Sequence, residues 1–155
     1  MAFKHYEQIK SQELQPMDTG NVKAFLKDFA VSEDKDKPIT SGLFRLEAGE
    51  SLEYTYTYHE MKLILDGSFI IEDETGNKVT ATPGDLLYFP KDSSITFSTP
   101  DFGIGFFCGQ RGEDEAWKMI QRLTEKAANL SKYNLQKDRV FVHAVMHYGN
   151  WWRKR

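Results

Sequence analysis

The chain has 155 residues, of which 40% are hydrophobic and 28% are charged, and its formal net charge is -3. This length allows one domain with a substantial core. Without a basic excess, the composition excludes a broad positive face for nucleic acid. The first residues contain no apolar signal core, and no stretch approaches the ~18 apolar residues of a membrane span. We therefore expect a soluble cytoplasmic protein without a nucleic-acid or membrane partner.

The N-terminal part, residues 1–38, is predicted to be an arm followed by a first element that packs on the rest of the domain. Residues 1–20 are polar and irregular. Residues 22–30 fit either a strand or a short helix, and their periodicity does not decide between the two. The charged run at 32–38 ends in a proline, which predicts a loop.

Residues 39–110 are predicted to form about seven or eight short strands with closely spaced turns. Asp66-Gly67 predicts a β-hairpin, and Thr75-Gly76-Asn77 marks the next turn. LLYFP at 86–90 is predicted to be a short buried strand. In the apolar run GIGFFCG, Cys108 is interpreted as a small buried hydrophobic residue rather than a catalytic thiol. The pattern as a whole indicates an all-β sandwich or barrel.

The C-terminal part, residues 111–155, is predicted to be a helix followed by an aromatic strand and tail of the same domain. The helix extends from Glu113 to about Tyr133 and has one apolar stripe. His143 and His147 are predicted to lie on a strand, where their spacing separates them too widely for one metal ion. We expect the adjacent Trp151 and Trp152 to pack on the barrel, cover its mouth or enter an interface.

The most informative stretch lies between residues 49 and 67, where polar side chains recur at every second position. They are Tyr54, Tyr56, Tyr58, Glu60 and Lys62. In a β-strand, side chains at this spacing share one face. A core face usually carries Val, Ile or Leu instead. The row is therefore predicted either to face solvent or to line a pocket.

The same stretch resembles the first motif of the cupin superfamily, G-x5-H-x-H-x3-4-E-x6-G. Glu60 stands seven residues before Gly67, as the motif requires. The two histidine positions of the motif fall on Tyr54 and Tyr56. This departure matters because these histidines hold a metal ion in other cupins.

The second cupin motif, G-x5-P-x-G-x2-H-x3-N, is matched in part. Gly84 and Pro90 have the expected spacing, whereas Ile95 occupies the histidine position. The stretch PGDLLYFPKDSSITFSTP is most similar to the EutQ type of ethanolamine-utilisation proteins, a group that also lacks the metal histidines. The resemblance covers roughly residues 40–109.

The resemblance implies a jelly-roll β-barrel, here with one C-terminal α-helix and a terminal strand. Of the family's metal ligands only Glu60 is retained, and imidazole and carboxylate are the ligands that suit a first-row metal. We therefore predict no metal and no cofactor. A metal-dependent oxygenase or lyase with unusual metal ligands is kept as an alternative function.

Cupin side chains at the motif-one positions face into the barrel, and this implies a pocket lined by the polar row. We predict catalytic roles for Glu60, Lys62 and Tyr56 in acid–base chemistry, with a phenol donating a proton or, if its pKa is depressed, accepting one. The predicted substrate-binding residues are Tyr54, Tyr58, Tyr88, Ile95 and Phe97. The alternatives are a structural Glu60–Lys62 ion pair that closes one barrel end, and a one-residue register slip that turns the row outward.

Two functions follow from this interpretation. The first is a metal-independent cupin enzyme that acts on a small oxygenated metabolite as an isomerase, dehydratase, cyclase or lyase. The second is a non-catalytic EutQ-like cupin that binds a metabolite or supports an assembly. EutQ-type proteins are also linked to acetate kinase chemistry, which we do not expect here because the sequence lacks a glycine-rich phosphate loop. The resemblance further implies a homodimer.

Overall fold

The computed structural model describes residues 2–113, which form two β-sheets made of antiparallel strands. A 3-10 helix at Ile9–Ser11 precedes the strands β1 Gln15–Pro16, β2 Ala24–Val31, β3 Thr40–Glu47, β4 Leu52–Thr55, β5 Glu60–Gly67, β6 Phe69–Asp73, β7 Lys78–Ala81, β8 Leu86–Phe89, β9 Ser94–Ser98 and β10 Phe102–Gly109. The six-stranded sheet has the order β1-β2-β3-β10-β5-β8, and the four-stranded sheet has the order β4-β9-β6-β7.

The predicted all-β jelly roll is confirmed. Eight strands, β3 to β10, follow residue 39, within the predicted number. Aromatic rings fill the space between the sheets: Phe44 of β3 stacks on Phe69 of β6 at 5.8 Å and meets Phe97 of β9 edge-on at 5.7 Å. Such pairs stabilise a core beyond the area they bury. The predicted C-terminal helix, the terminal strand with His143 and His147, and the tryptophan pair lie outside the described residues.

Residues 22–30, which were predicted to form either a strand or a short helix, belong largely to strand β2. This strand pairs with β3 on one side and with the short β1 on the other. The arm before it lies along the six-stranded sheet, where Lys10 forms an ion pair with Asp66 at 2.7 Å. None of the helical segments in the described part of the chain is long and apolar enough to cross a membrane.

The predicted hairpin at Asp66-Gly67 is wrong, whereas the turn at residues 75–77 is confirmed. β5 and β6 belong to different sheets, so the chain bends between sheets at this point instead of returning alongside itself. Gly67 has a φ of 63°, and a Cβ there would collide with the carbonyl oxygen of Phe102. Only glycine tolerates both conditions. In contrast, β6 and β7 pair directly across the second turn.

One prediction of burial is wrong in part and a second is wrong. Leu86–Phe89 of LLYFP forms the predicted strand, β8, but it is an edge strand in which Phe89 is buried while Leu86 and Tyr88 are 67% and 56% exposed. Cys108 is exposed as well, although β10 is central in its sheet and pairs with both β3 and β5. Partial burial of the sulfur and the nearby Glu60 charge raise the pKa of the Cys108 thiol, which disfavours the reactive thiolate.

Candidate functional site

The polar row crosses from one sheet to the other. We expected its members to share one side of one sheet, but Tyr54 lies on β4 of the four-stranded sheet, while Glu60 begins β5 of the six-stranded sheet. The segment that connects the two sheets contains Tyr56, whose backbone fixes its position. The Tyr56 N–H donates a hydrogen bond to the Ser93 carbonyl at 2.8 Å, and the Tyr56 carbonyl accepts one from Asp92 N–H at 2.7 Å. The side chains of the row nevertheless keep pointing to the interior at every second position through this connecting segment.

All five side chains of the row are buried between the sheets. Their exposures are 6% for Tyr54, 2% for Tyr56, 6% for Tyr58 and 4% each for Glu60 and Lys62. Neither the solvent-facing alternative nor the register slip applies. A polar row buried in a core is stable only if its members hydrogen-bond to one another.

Those hydrogen bonds form two groups. Glu60 Oε1 accepts a hydrogen bond from Tyr56 Oη at 2.8 Å and pairs with Lys62 Nζ at 3.0 Å. The hydroxyls of Tyr54 and Tyr58 lie 2.8 Å apart and share a second hydrogen bond. One carboxylate oxygen thus joins a phenol and an ammonium in the barrel interior.

The Lys62 ammonium also lies among four phenylalanine rings. Its Nζ is 4.7 to 5.8 Å from their centroids, which belong to Phe44, Phe89, Phe97 and Phe107. The faces of aromatic rings attract a cation, and the attraction is stronger away from water. The rings therefore replace part of the hydration that the ammonium loses on burial.

Glycines of β10 provide the room for this arrangement. A Cβ at Gly105 would lie 2.9 Å from both Cγ and Cδ of Lys62. A Cβ at Gly109 would lie 3.1 Å from the Tyr58 ring. The recurrent glycines of the GIGFFCG run are thus explained by the side chains that pack across β10.

The phenols of Tyr56 and Tyr58 have raised pKa values. Burial, followed by the Glu60 charge, raises the pKa of Tyr56 well above its usual value of 10.0. The same two causes, in the same order, raise the pKa of Tyr58. Both hydroxyls stay neutral at physiological pH, because burial disfavours phenolate. The raised pKa values argue against the option that one of these phenols abstracts a proton, and the carboxylate of Glu60 is the other acceptor in the group.

A small cavity of about 30 Å³ lies beside these groups. It is lined by Met17, Leu26, Phe44, Leu52, Tyr54, Tyr56, Tyr58, Glu60, Lys62, Phe97 and Phe107. This volume accommodates about two water molecules. The cavity is therefore amphipathic, with one polar wall and one wall of phenylalanine and aliphatic side chains.

The remaining predicted site residues occupy different places. Phe97 lines the cavity as expected, while Ile95 is buried but does not line it. Tyr88 lies on the outer face, where its hydroxyl hydrogen-bonds His59 Nδ1 at 2.9 Å, so the prediction that it enters the pocket is wrong. β8 pairs with β5 such that Tyr88 opposes Met61, and both side chains point away from the core.

A buried ion pair that was not predicted from the sequence lies just after the end of β10. Arg111 donates two hydrogen bonds to the Asp28 carboxylate, at 2.9 and 2.7 Å, and its guanidinium lies 5.6 Å from the Tyr58 ring centroid. Burial acts to lower the pKa of Arg111, but the Asp28 hydrogen bonds and charge more than offset this and raise it. The available signal was Asp28, a carboxylate in the largely apolar strand β2, although Lys27 is a second charged residue in the same strand.

The side chains present do not fit a metal ion. Tyrosines occupy the two histidine positions, and Ile95 has no donor atom. Glu60 already pairs with Tyr56 and Lys62, and an ammonium at 3.0 Å competes with any cation for this carboxylate. Among residues 2–113, no three side chains of the His, Cys, Asp or Glu type come together. The chemistry of this donor set is therefore that of proton donors and acceptors.

The two facing antiparallel sheets, with inward side chains at the positions of the first cupin motif, identify the fold as that of a cupin. The fold is similar to that of the Schizosaccharomyces pombe Cnp3 cupin domain, with a TM-score of 0.53, 9% identity and coverage of 66% of each chain. The family model described as ethanolamine utilisation protein EutQ matches residues 3–107. The protein therefore belongs to the EutQ family.

Individual EutQ proteins are similar at the level of sequence and structure. A curated relative from Clostridioides difficile strain 630, named acetate kinase EutQ, is 33% identical over 97 residues, which are 61% of this chain and 59% of the relative. The chain thus spans about three-fifths of the length of that relative. The structure of the Clostridium difficile EutQ protein matches with a TM-score of 0.60 and 25% identity over 68% of this chain and 79% of that one.

Proposed function

We propose that this protein is a metal-independent cupin enzyme that transfers protons to and from a small oxygenated metabolite in the barrel cavity. The observation that carries this proposal is Glu60 Oε1, held between Tyr56 Oη at 2.8 Å and Lys62 Nζ at 3.0 Å in the cavity wall. A proton acceptor, a neutral donor and a cation within one hydrogen-bonded group are what acid–base catalysis requires.

The size of the cavity limits the substrate. A space of about 30 Å³ accommodates the equivalent of about two water molecules, which limits the ligand to about two or three non-hydrogen atoms. The family description, ethanolamine utilisation, names a metabolic process that begins with a two-carbon amino alcohol. Both observations favour a two-carbon alcohol, aldehyde or acid over a large ring system.

Each part of the site has a role in this proposal. Glu60 accepts a proton from the substrate, and the Lys62 ammonium stabilises the negative charge that develops. Tyr56 donates a hydrogen bond from its neutral hydroxyl, and the Tyr54–Tyr58 pair orients the substrate oxygen. Phe97 contributes to the apolar wall. Isomerisation, dehydration, cyclisation and elimination all contain such a proton-transfer step.

The second candidate is a non-catalytic cupin that binds a metabolite or supports an assembly. It is favoured by the hydrogen bonds themselves, because the polar ends of the row are already paired with one another. A closed set of this kind also stabilises a fold without doing chemistry. We further propose a homodimer in the cytoplasm for either function.

The test uses the wild-type full chain in D2O with acetaldehyde, glycolaldehyde, acetate and ethanolamine, one at a time, followed by proton NMR. The enzyme proposal predicts that carbon-bound protons of at least one compound are replaced by deuterium in proportion to protein concentration. Saturation-transfer contact without exchange would favour the binding protein. Neither contact nor exchange with any of the four would refute a site for two-carbon compounds.

A further inference from the structure

Lys62 is a primary amine in the wall of the cavity, and its use in the proposal above is only electrostatic. Its side chain is 5% exposed, and Nζ contacts Glu60 Oε1 at 3.0 Å. An amine that is free of its proton is a nucleophile toward carbonyl carbon, and enzymes favour that form of a lysine by desolvating it in an apolar pocket. Lys62 is desolvated among phenylalanine rings, and the Glu60 carboxylate beside it can receive the proton.

We propose that Lys62 is a covalent site that forms an imine with a small aldehyde or ketone bound in the cavity. This inference rests on the proposed function in one respect, since both assign the ligand to the same cavity. It adds a nucleophile and a substrate class, carbonyl compounds of about three non-hydrogen atoms by the volume argument.

The reaction balances with the groups on the cavity wall. The Lys62 ammonium transfers one proton to the Glu60 carboxylate. The free amine attacks the carbonyl carbon, a C–N bond forms, and the carbonyl electron pair moves to oxygen, which takes the proton from Glu60. The nitrogen then returns one proton to Glu60, giving a neutral carbinolamine.

Glu60 next protonates the carbinolamine hydroxyl. The C–O bond breaks, water leaves, and the nitrogen lone pair completes the C=N bond of a protonated imine. Ammonium and aldehyde have become protonated imine and water, so charge is conserved and no oxidant or reductant is needed. The protonated imine is an electron sink, which makes proton removal from the adjacent carbon by Glu60 easier.

The surroundings of Lys62 favour this product. The rings that surround its ammonium, with Phe44 the nearest at 4.7 Å, also surround the protonated imine nitrogen, which keeps the positive charge in the same place. The apolar wall limits the water that would hydrolyse the imine. Gly105 leaves the Lys62 stem the space beside β10 that a Cβ would remove.

Borohydride trapping tests the proposal on the wild-type full chain. The protein is incubated with limiting acetaldehyde, reduced with sodium borohydride and digested, and ethylated lysines are located by peptide mass mapping. Exposed lysines such as Lys35 and Lys91 serve as internal controls. We expect more ethylation at Lys62 than at any exposed lysine, even though Lys62 is buried. Ethylation that follows exposure, with Lys62 unlabelled, would overturn the proposal.

Variants separate this proposal from its alternatives. Lys62→Met should lose the label from that peptide, and Glu60→Gln should reduce labelling at Lys62 strongly, since the proton acceptor is lost. Glu53→Gln, at an exposed carboxylate on β4, should label as the wild type does. Labelling at Lys62 that is equal in Glu60→Gln would contradict the proton-transfer step.

The deuterium-exchange measurement distinguishes failure of the imine from failure of the proposed function. Exchange in a wild type that shows no label at Lys62 would refute the imine and leave proton transfer standing. Label at Lys62 without exchange would support the imine and refute turnover. The two measurements are made on the same wild-type protein and do not depend on a variant that folds.

Discussion

Replacing Asp28 by asparagine tests the buried ion pair between Asp28 and Arg111. The Arg111 side chain is fully buried and that of Asp28 is 7% exposed, and the two hydrogen bonds between them are 2.9 and 2.7 Å long. The Asp28→Asn side chain would keep an acceptor but lose the charge. Removing one partner of a buried pair costs about 3–5 kcal/mol, and we expect the lower part of this range, about 3 kcal/mol, because one acceptor remains.

The free energy of unfolding is measured by urea denaturation of the full chain, followed by circular dichroism. Asp36→Asn, at an exposed position of the charged loop, is the control and should change stability by less than about 0.5 kcal/mol. A double variant, Asp28→Leu with Arg111→Met, should recover much of the loss, because an apolar pair leaves no uncompensated charge. A loss below about 1 kcal/mol in Asp28→Asn would refute the reasoning.

The site and the outer face yield three further predictions. The pKa of Tyr56 is raised in the folded state, so this phenol contributes its full stabilisation at a pH below its usual pKa of 10.0 and loses it as the pH rises above that value. Tyr56→Phe should therefore flatten the decline of the melting temperature at alkaline pH. Gly105→Ala places a Cβ 2.9 Å from the Lys62 stem and should cost about 1–3 kcal/mol in urea and reduce deuterium exchange. If the exposed Leu86 and Tyr88 of β8 lie in a dimer interface, Leu86→Lys with Tyr88→Glu should shift the sedimentation coefficient from dimer to monomer.

Each of these three predictions has an outcome that would contradict it. An alkaline stability curve with equal slopes for wild type and Tyr56→Phe would mean that the phenol does not stay neutral in the fold. A Gly105→Ala variant with wild-type stability would mean that the Lys62 stem is free to move aside. A wild type that sediments as a monomer would contradict the dimer directly.

The tyrosine row shows what periodicity could predict. Alternation correctly predicted that Tyr54, Tyr56, Tyr58, Glu60 and Lys62 point to the same side of the chain. It left open whether that side faces solvent or the interior, and the cupin resemblance supplied the inward direction. It could not show that the row leaves one sheet and enters the other after Thr55, since that crossing depends on the backbone hydrogen bonds of Tyr56 with the distant Asp92 and Ser93. The same limit explains Asp66-Gly67, whose turn residues favour a bend but do not specify the sheet that follows.

Burial was harder to predict than strand position. LLYFP and GIGFFCG are apolar runs, and a run without alternation does not reveal which side of the sheet is covered. Leu86, Tyr88 and Cys108 were therefore predicted to be buried, although all three are exposed on the outer side. The role of Arg111 could not be read from its neighbours in the sequence, because its partner Asp28 lies 83 positions away in the chain.

The central claim is that the Glu60–Lys62 pair does chemistry inside the barrel instead of only closing it. The most direct test is the rate of deuterium incorporation into acetaldehyde by Glu60→Gln, compared with wild type and with Glu53→Gln. Glutamine keeps an acceptor for Tyr56, so we expect a folded variant with a cooperative unfolding transition, exchange at the protein-free rate, and full exchange in Glu53→Gln. Exchange by folded Glu60→Gln at the wild-type rate would contradict the claim.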